Sequence, residues 1–274
     1  MKITILSNRD LASCVALNHL LPQLCAHSVR VFLSSRVGKP AANTVTPEAL
    51  DSLKFFEQGL FNNLVFPSVD EAPSPSSPAL LTFKGLARFL SAEIEVLNDI
   101  NGADYARFAA SEPDLVLSIR YGVILRDAAI AVPAQGVLNL HSGRLPDYKG
   151  VMATFRALMN GDSELNMTLH TIDDSGIDTG KIVGYSTLRT VPGKSYLWHV
   201  LNLYEGGCQL MADAVAKMTT GASLGGIDQA SLVEQGSYYT FPTQAELAEF
   251  GEAGLRLVDS AELVDIAGKF THGK

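Results

Sequence analysis

The chain has 274 residues, which is enough for one large domain or for a main domain with a small appendix. Its hydrophobic fraction of 47% and charged fraction of 18% are those of an ordinary globular protein. A formal net charge of −8 argues against a nucleic-acid partner, because proteins that bind phosphate backbones carry a basic face. No apolar run is long enough to span a membrane, and the three cysteines show no metal-ligand spacing. We therefore expect a cytoplasmic protein without membrane contact or metal, whose cysteine thiols are buried and unpaired.

The amino-terminal part of the chain predicts the beginning of a doubly wound sheet. Residues 2–7 are a short β-branched run, which is typical of a central strand. Residues 10–21 carry apolar side chains at helical spacing, and residues 28–35 alternate like a second strand. This order indicates an α/β fold, with a mostly parallel, Rossmann-like sheet and helices on both faces.

The segment 38–110 is less regular, and its role is open. Its apolar spacing predicts three helices, over residues 46–61, 83–100 and 104–113. Residues 71–79 are rich in proline and serine and predict a surface loop or a lid.

Strands and helices follow one another again in the second half of the chain. Strands are predicted over residues 114–120, 137–141, 165–173 and 181–191. Helices are predicted over residues 153–161 and from about Lys194 onwards, followed by a short extended piece and a further helix. We expect a main domain of residues 1–204 and a small C-terminal region of residues 205–274.

The strand that ends at His141 exposes two polar side chains at its end. Asn139 and His141 are two residues apart and therefore share one face of the strand. Ligand sites in open α/β sheets lie outside the carboxyl ends of the strands, where both residues are expected. Such a pair alone is more often structural than catalytic. The loop 174–180 is more often a simple turn, and periodicity does not place its Asp178 near the pair.

Taken together, three stretches resemble the folate-dependent formyltransferase family, of the N-terminal-domain type. They are "YGVIL" at 121–125, "LNLHSGRLPDYKG" at 138–150 and "IDDSGIDTG" at 172–180. The matching positions are Asn139, His141, Leu145, Pro146, Gly150 and Asp178. The resemblance covers residues 114–183 closely and the opening strand, helix and strand loosely.

This resemblance implies the transfer of a formyl group from 10-formyltetrahydrofolate to an amine. Attack on the formyl carbon develops an oxyanion, which the Asn139 amide would stabilise by hydrogen bonding. His141 would stabilise the same oxygen and move protons, since histidine titrates near neutral pH. Asp178 would orient His141 and relay a proton.

By the same resemblance, the folate should lie on loops that flank these catalytic residues. The expected contacts are Gly122, Val123, Leu125, Gly143, Arg144, Leu145, Pro146, Asp174, Ser175 and Gly176. Arg144 departs from the family pattern, and it either meets a phosphate or the folate tail, or faces solvent. His170 and His199 are interpreted as half-buried structural histidines. The cluster Tyr238, Tyr239 and Phe241 is interpreted as a docking contact rather than a ligand platform.

The acceptor is a small-molecule amine by elimination among the family's branches. The branch acting on initiator tRNA has a longer, basic C-terminal domain, and the purine branch has a glycine-rich loop after its first strand. The acidic composition and the absence of glycine after the first strand argue against both branches, and with the first strand at Lys2 we expect no regulatory domain of the hydrolase branch. We favour a nucleotide-linked amino sugar. A hydroxylamine or amino acid of siderophore biosynthesis, a 10-formyltetrahydrofolate hydrolase and a folate-binding protein without activity are the alternatives, and a homodimer is compatible with the sequence.

Overall fold

The computed structural model describes residues 1–35, 46–72, 78–232 and 236–271. Seven strands form the central sheet: β1 (Lys2–Asn8), β2 (Ser28–Ser34), β3 (Glu95–Val96), β4 (Leu115–Ile119), β5 (Val137–His141), β7 (Glu164–Thr171) and β8 (Ile182–Arg189). Two further strands, β6 (Tyr148–Gly150) and β9 (Ser237–Tyr239), form a small parallel pair. The order in the large sheet is β3-β2-β1-β4-β5-β7-β8.

The sheet changes direction at β5. Strands β3, β2, β1, β4 and β5 are mutually parallel, whereas β7 runs antiparallel to both β5 and β8. Six of the seven residues of β1 are buried, because helices cover both faces of a parallel sheet. Ile3 and Ile5 point into one core cluster and Leu6 into the other, as alternation along a strand requires. The predicted doubly wound α/β fold is confirmed.

Helices surround the sheet. They are α1 (Leu11–Leu20), α2 (Glu48–Lys54), α3 (Phe66–Glu71), α4 (Phe83–Leu86), α5 (Tyr105–Ala109), α6 (Asp127–Ile130), α7 (Ala153–Met159), α8 (Tyr196–Thr219), α9 (Gln244–Glu252) and α10 (Ser260–Thr271). The π-helix Phe55–Val65 joins α2 to α3, and single 3₁₀ turns occur at Leu21–Leu24, Ala87–Phe89 and Gln229–Ser231. No helix in these ranges is long and apolar enough to cross a membrane.

Three sequence predictions differ from the structure. The helix expected over 83–100 is only α4 and one 3₁₀ turn, because the chain then follows the sheet edge, where the Leu97 amide donates to the Leu33 carbonyl at 3.0 Å. The helix over 104–113 is limited to α5, and Glu112 has a left-handed φ of 44°. Cys14 and Cys208 are buried as expected, whereas the Cys25 thiol is exposed. Parts of the predicted loop 71–79 and of the segment 38–110 lie outside the described residues.

The long helix α8 runs through the expected domain boundary. Ser195 caps it by accepting from the Trp198 amide, and buried side chains continue past residue 204 to Cys208 and Met211. The Cys208 thiol donates to the Ala16 carbonyl of α1 at 3.3 Å, so both sides of the boundary belong to the same packed layer. We therefore propose that the main domain extends to the end of α8.

Candidate active site

Asn139, His141 and Asp178 come together at the carboxyl end of β5. The Asp178 carboxylate lies with Oδ2 3.6 Å from His141 Nδ1 and with Oδ1 3.5 Å from His170 Nε2. The side chains of Asp178 and His141 are only 10% and 8% exposed. A carboxylate thus sits between two imidazoles in a site with little water, where it is within reach of a ring nitrogen on each side.

His170 is the residue that sequence reasoning missed. It is 2% exposed, and it faces Asn139 across the β5–β7 ladder. Its Nδ1 donates to the Thr171 carbonyl at 2.8 Å, and its Nε2 lies 3.0 Å from the Asn139 amide nitrogen and 3.5 Å from Asp178 Oδ1. A register shift in β7 falls between Leu169 and His170, and such bulges re-aim side chains beside active sites. His170 therefore connects Asn139 to Asp178, and it is a fully buried strand histidine rather than a half-buried one.

The orientation of the His141 ring follows from its partners. Nε2 lies 2.7 Å from the Tyr148 carbonyl oxygen, which can only accept, so Nε2 carries a hydrogen. Nδ1 then faces Asp178, and a proton on Nδ1 would complete an imidazolium beside the carboxylate. The contacts at both ring nitrogens thus fix the orientation of the His141 ring.

The backbone around Asp178 fixes its carboxylate. Asp178 has a left-handed φ of 55°, and its Oδ2 accepts from the Gly150 amide at 2.8 Å. Gln229 donates its side-chain amide to the carbonyls of Asp178 and Gly180, at 2.9 and 2.7 Å. Burial acts to raise the pKa of Asp178, but His141, His170 and the Gly150 N–H together lower this pKa to about 2. The carboxylate is therefore ionised over the whole physiological range.

The turn after β5 is closely packed. A side chain at Gly143 would overlap the Ala153 Cβ, so this position needs glycine. The Thr168 hydroxyl accepts from the Leu145 amide at 3.1 Å and donates to the Gly143 carbonyl at 2.6 Å. Leu145 has no exposed surface, and Pro146, which follows a cis peptide bond, is buried as well. Their side chains support the turn, and their expected contact with folate stays a prediction.

Arg144 has partners on the protein itself. Its Nε lies 3.3 Å from Asp147 Oδ2, and its guanidinium stands over the Tyr185 ring at 5.0 Å. The side chain is 53% exposed. Of the two alternatives, the structure favours the solvent-facing one.

The two loops expected to hold the folate differ in exposure. Asp174, Ser175 and Gly176 are exposed, and Asp174 Oδ1 accepts from the Gly176 amide at 2.7 Å. Gly122 is exposed and donates its amide to Asn8 Oδ1 at 3.2 Å, and Val123 is half-buried. Leu125 is only 4% exposed and its side chain packs in the core, where it anchors the loop; the expected folate contact, which is with the backbone of this loop, stays a prediction.

A buried charge cluster lies just before this loop. Arg120, with a left-handed φ of 59°, places Nε 3.1 Å from Asp10 and a terminal nitrogen 3.3 Å from Glu57. Asp10 is 1% exposed, and its other oxygen caps α1 by accepting from the Ser13 amide at 2.7 Å. Burial raises the pKa of Glu57 to about 7, although Arg120 acts to lower it. Arg120 therefore joins the ends of β1 and β4 to the π-helix.

The C-terminal strand β9 pairs with β6 and packs against the residues that surround the site. Tyr239 lies 6.0 Å from the Tyr148 ring and 4.9 Å from the Arg156 guanidinium. Arg156 also forms an ion pair with Glu246, and Phe155 stacks on Phe250 at 4.4 Å. These contacts agree with the docking interpretation of Tyr239, whereas the Tyr238 ring is 55% exposed.

A substitution at Gly150 tests the packing of β9 against β6. It has a φ of +92°, and a Cβ there would overlap the Tyr239 carbonyl oxygen and the Tyr238 ring. We expect Gly150→Ala to lose about 1–2 kcal/mol from left-handed strain and a further ~1–3 kcal/mol from overlap. Gly161→Ala is the matched control, because its φ is +75° and nothing lies within 4 Å of its Cβ. Urea unfolding of both variants measures the difference, and equal losses would contradict the described packing.

Comparison with known proteins agrees with this geometry. Residues 95–196 match the family model described as formyl transferase. The methionyl-tRNA formyltransferase of Bordetella avium is 32% identical over 162 residues, which are 59% of this chain and 48% of that protein. The chain therefore spans about half the length of this curated relative.

Solved structures share the whole fold. A sugar N-formyltransferase from Shewanella sp. matches with a TM-score of 0.53 and 14% identity, over 100% of this chain and 89% of that chain. The Helicobacter canadensis N-formyltransferase, solved with folinic acid and dTDP-3-aminofucose, matches with a TM-score of 0.52 and 15% identity. That match covers 87% of this chain and 71% of the other.

The sheet and its strand order define an α/β fold that is similar to the fold of solved formyltransferases. The segment 95–196 includes the loop after β4, the end of β5 and the Asp178 loop. Over residues 95–196, the match to the formyl transferase family model confirms the resemblance inferred from the motifs.

Proposed function

We propose that this protein transfers a formyl group from 10-formyltetrahydrofolate to the amine of a small molecule, namely a nucleotide-linked amino sugar. The observation that carries the proposal is the Asp178 carboxylate between His141 and His170, with Asn139 bonded to the latter. These four side chains lie inside the segment that matches the family model.

The proposed reaction breaks one C–N bond and forms another. The acceptor amine attacks the formyl carbon, and the carbonyl oxygen gains negative charge, which Asn139 stabilises as a hydrogen-bond donor. His141 stabilises the same oxygen once its Nε2–H turns from the Tyr148 carbonyl towards it. The new C–N bond forms, the bond to the folate nitrogen breaks, and a proton passes from the amine to that nitrogen. His141 moves this proton while Asp178 stabilises its charged ring, since the two groups are 3.6 Å apart.

The two exposed loops suit a flat, partly apolar donor. Ile124, beside Gly122, is 54% exposed, and Ile177, beside Gly176, is 37% exposed. Large apolar side chains at the surface of a site gain free energy when a ring system covers them. In the Helicobacter canadensis protein, folinic acid is one of the two bound molecules, which supports a folate donor here.

The acceptor has two candidates. The amino-sugar assignment is supported by the solved structures of sugar N-formyltransferases and by the net charge of −8. The curated relatives are methionyl-tRNA formyltransferases, which favours methionyl-tRNA as the second candidate.

The test is an assay with 10-formyltetrahydrofolate and either a dTDP-linked amino sugar or methionyl-tRNA. Formation of formylated sugar together with tetrahydrofolate is the expected result. Release of formate at the full rate without any amine would instead establish a hydrolase. Binding of folate without turnover on either amine would reject the enzyme assignment. A homodimer stays a prediction, which analytical ultracentrifugation of the same sample checks.

A further inference from the structure

A second concave region lies at the same edge of the sheet, over the ends of β1 and β2. This cleft has a volume of about 510 Å³, and Arg9, Ser35, Asp51, Lys54 and Asn62 are among its lining residues. Hydrogen bonds to the backbone of Arg9 connect the elements that form the cleft. The Arg9 amide donates to the Ser34 carbonyl at 2.9 Å, and the Asn62 side chain donates to the Arg9 carbonyl at 2.8 Å. The cleft is thus part of the fold and joins two strand ends to the π-helix.

The cleft concentrates positive charge in an acidic protein. Within the described ranges, no carboxylate lies in ion-pairing distance of Arg9 or Lys54, although many other cations of the chain are paired. Among the described residues that line the cleft, Asp51 is the one carboxylate. Two unpaired cations against one acid leave a net attraction for an anion.

The position of the cleft relates it to the catalytic residues. β4 separates β1 from β5, and neighbouring strands are about 4.8 Å apart. The end of β1 is therefore roughly 10 Å from the end of β5, and that of β2 is roughly 14 Å away. This separation is close to the length of an extended sugar diphosphate, so an amine at His141 could belong to a molecule whose phosphates reach the cleft.

We propose that this cleft binds the anionic part of a substrate of the same site, with Arg9 and Lys54 as its cationic contacts. The anion is either the diphosphate of the acceptor or the glutamate tail of the donor, since both carry oxyanions at a distance from the reacting group. The assignment to a substrate rests on the proposed function, whereas binding of an anion in the cleft does not.

Binding is measured by calorimetry with UDP, inorganic pyrophosphate and tetrahydrofolate carrying one or several glutamates, for Arg9→Gln, Lys54→Gln and the double variant. We expect each single variant to weaken binding of the anionic probe about tenfold, because a charge-assisted hydrogen bond is lost. The control is Lys2→Gln, at the amino end of β1 and so at the opposite edge of the sheet, which should change nothing.

Loss of affinity for UDP and pyrophosphate supports the proposal and assigns the anion to the acceptor. Loss confined to folate with several glutamates supports it and assigns the anion to the donor. Unchanged affinity for all probes, or no binding of any by the unmodified protein, overturns it. Because no turnover is needed, a positive result stands even if the formyl-transfer assay fails.

Discussion

Replacement of His141 by alanine is expected to lower the rate of formyl transfer by about a hundredfold to ten-thousandfold. The variant removes the ring that faces Asp178 at 3.6 Å and that donates to the Tyr148 carbonyl at 2.7 Å. His141→Asn is the companion variant, because an amide can still donate to that carbonyl but cannot carry a proton. A steady-state assay measures kcat for both, and circular dichroism checks that each remains folded.

The same experiment tests whether His141 and Asp178 act as one unit. Groups that act together are strongly non-additive, so His141→Ala/Asp178→Ala should cost about as much as the worse single variant. Asn139→Ala should reduce the rate separately by about a hundredfold to a thousandfold. Activity like that of the unmodified protein in the His141 or Asn139 variant would reject their assigned roles.

Replacement of Arg120 by methionine is expected to destabilise the protein by about 3–5 kcal/mol. The guanidinium is the partner of two largely buried carboxylates, with side chains 1% exposed at Asp10 and 12% at Glu57. Removal of the cation leaves both without their compensating charge. Arg120→Met/Glu57→Gln should recover part of the loss, since only one carboxylate then stays uncompensated.

The Arg120→Met loss should depend on pH. Burial already holds the pKa of Glu57 at about 7, above its value in the unfolded chain, so the folded state binds the extra proton. Stability linked to Glu57 is therefore present at low pH and is lost as the pH rises through 7. Without Arg120 this dependence becomes steeper, and urea unfolding should show a larger loss at pH 8 than at pH 6.

An exposed arginine provides the control for this effect. Arg107 is 43% exposed and pairs with Asp104 at 2.7 Å, and such pairs contribute about 0–1 kcal/mol. Arg107→Met should therefore change the free energy of unfolding little at either pH. A loss at Arg120 no larger than the loss at Arg107 would contradict the compensating role of the buried guanidinium.

The sheet was predictable because its strands are buried on both faces and read as apolar runs. β1, β2 and β4 lie within a residue or two of their predicted positions. β3 was not predictable, since Glu95–Val96 has little strand character of its own and is held by pairing with Phe32 and Leu33. Tertiary pairing overrides local propensity at a sheet edge.

The motifs pointed to Asn139, His141 and Asp178, which the structure brings together, whereas no motif pointed to the groups that hold them. Alternation placed Asn139 and His141 on one face, but only the antiparallel β7 brings His170 opposite Asn139. Arg120 and Glu57 are separated by 63 positions in the chain, and no local pattern relates them. These contacts depend on the pairing register of distant strands and on the conformation of the loops. The spacing of residues within one segment does not predict either of them.

The small C-terminal sheet and the turn at Gln229 have a consequence for how this domain can be recombined. Gln229 holds the Asp178 backbone, and the Tyr239 carbonyl accepts from the Val151 amide, next to the Gly150 that binds the Asp178 carboxylate. Residues after α8 thus hold Asp178 from two sides, through its backbone and through the segment that binds its carboxylate. A chimera that joins residues 1–219 to a foreign C-terminal segment would keep the sheet but lose the alignment of Asp178. The domain can therefore be moved into another protein only together with the residues that follow α8.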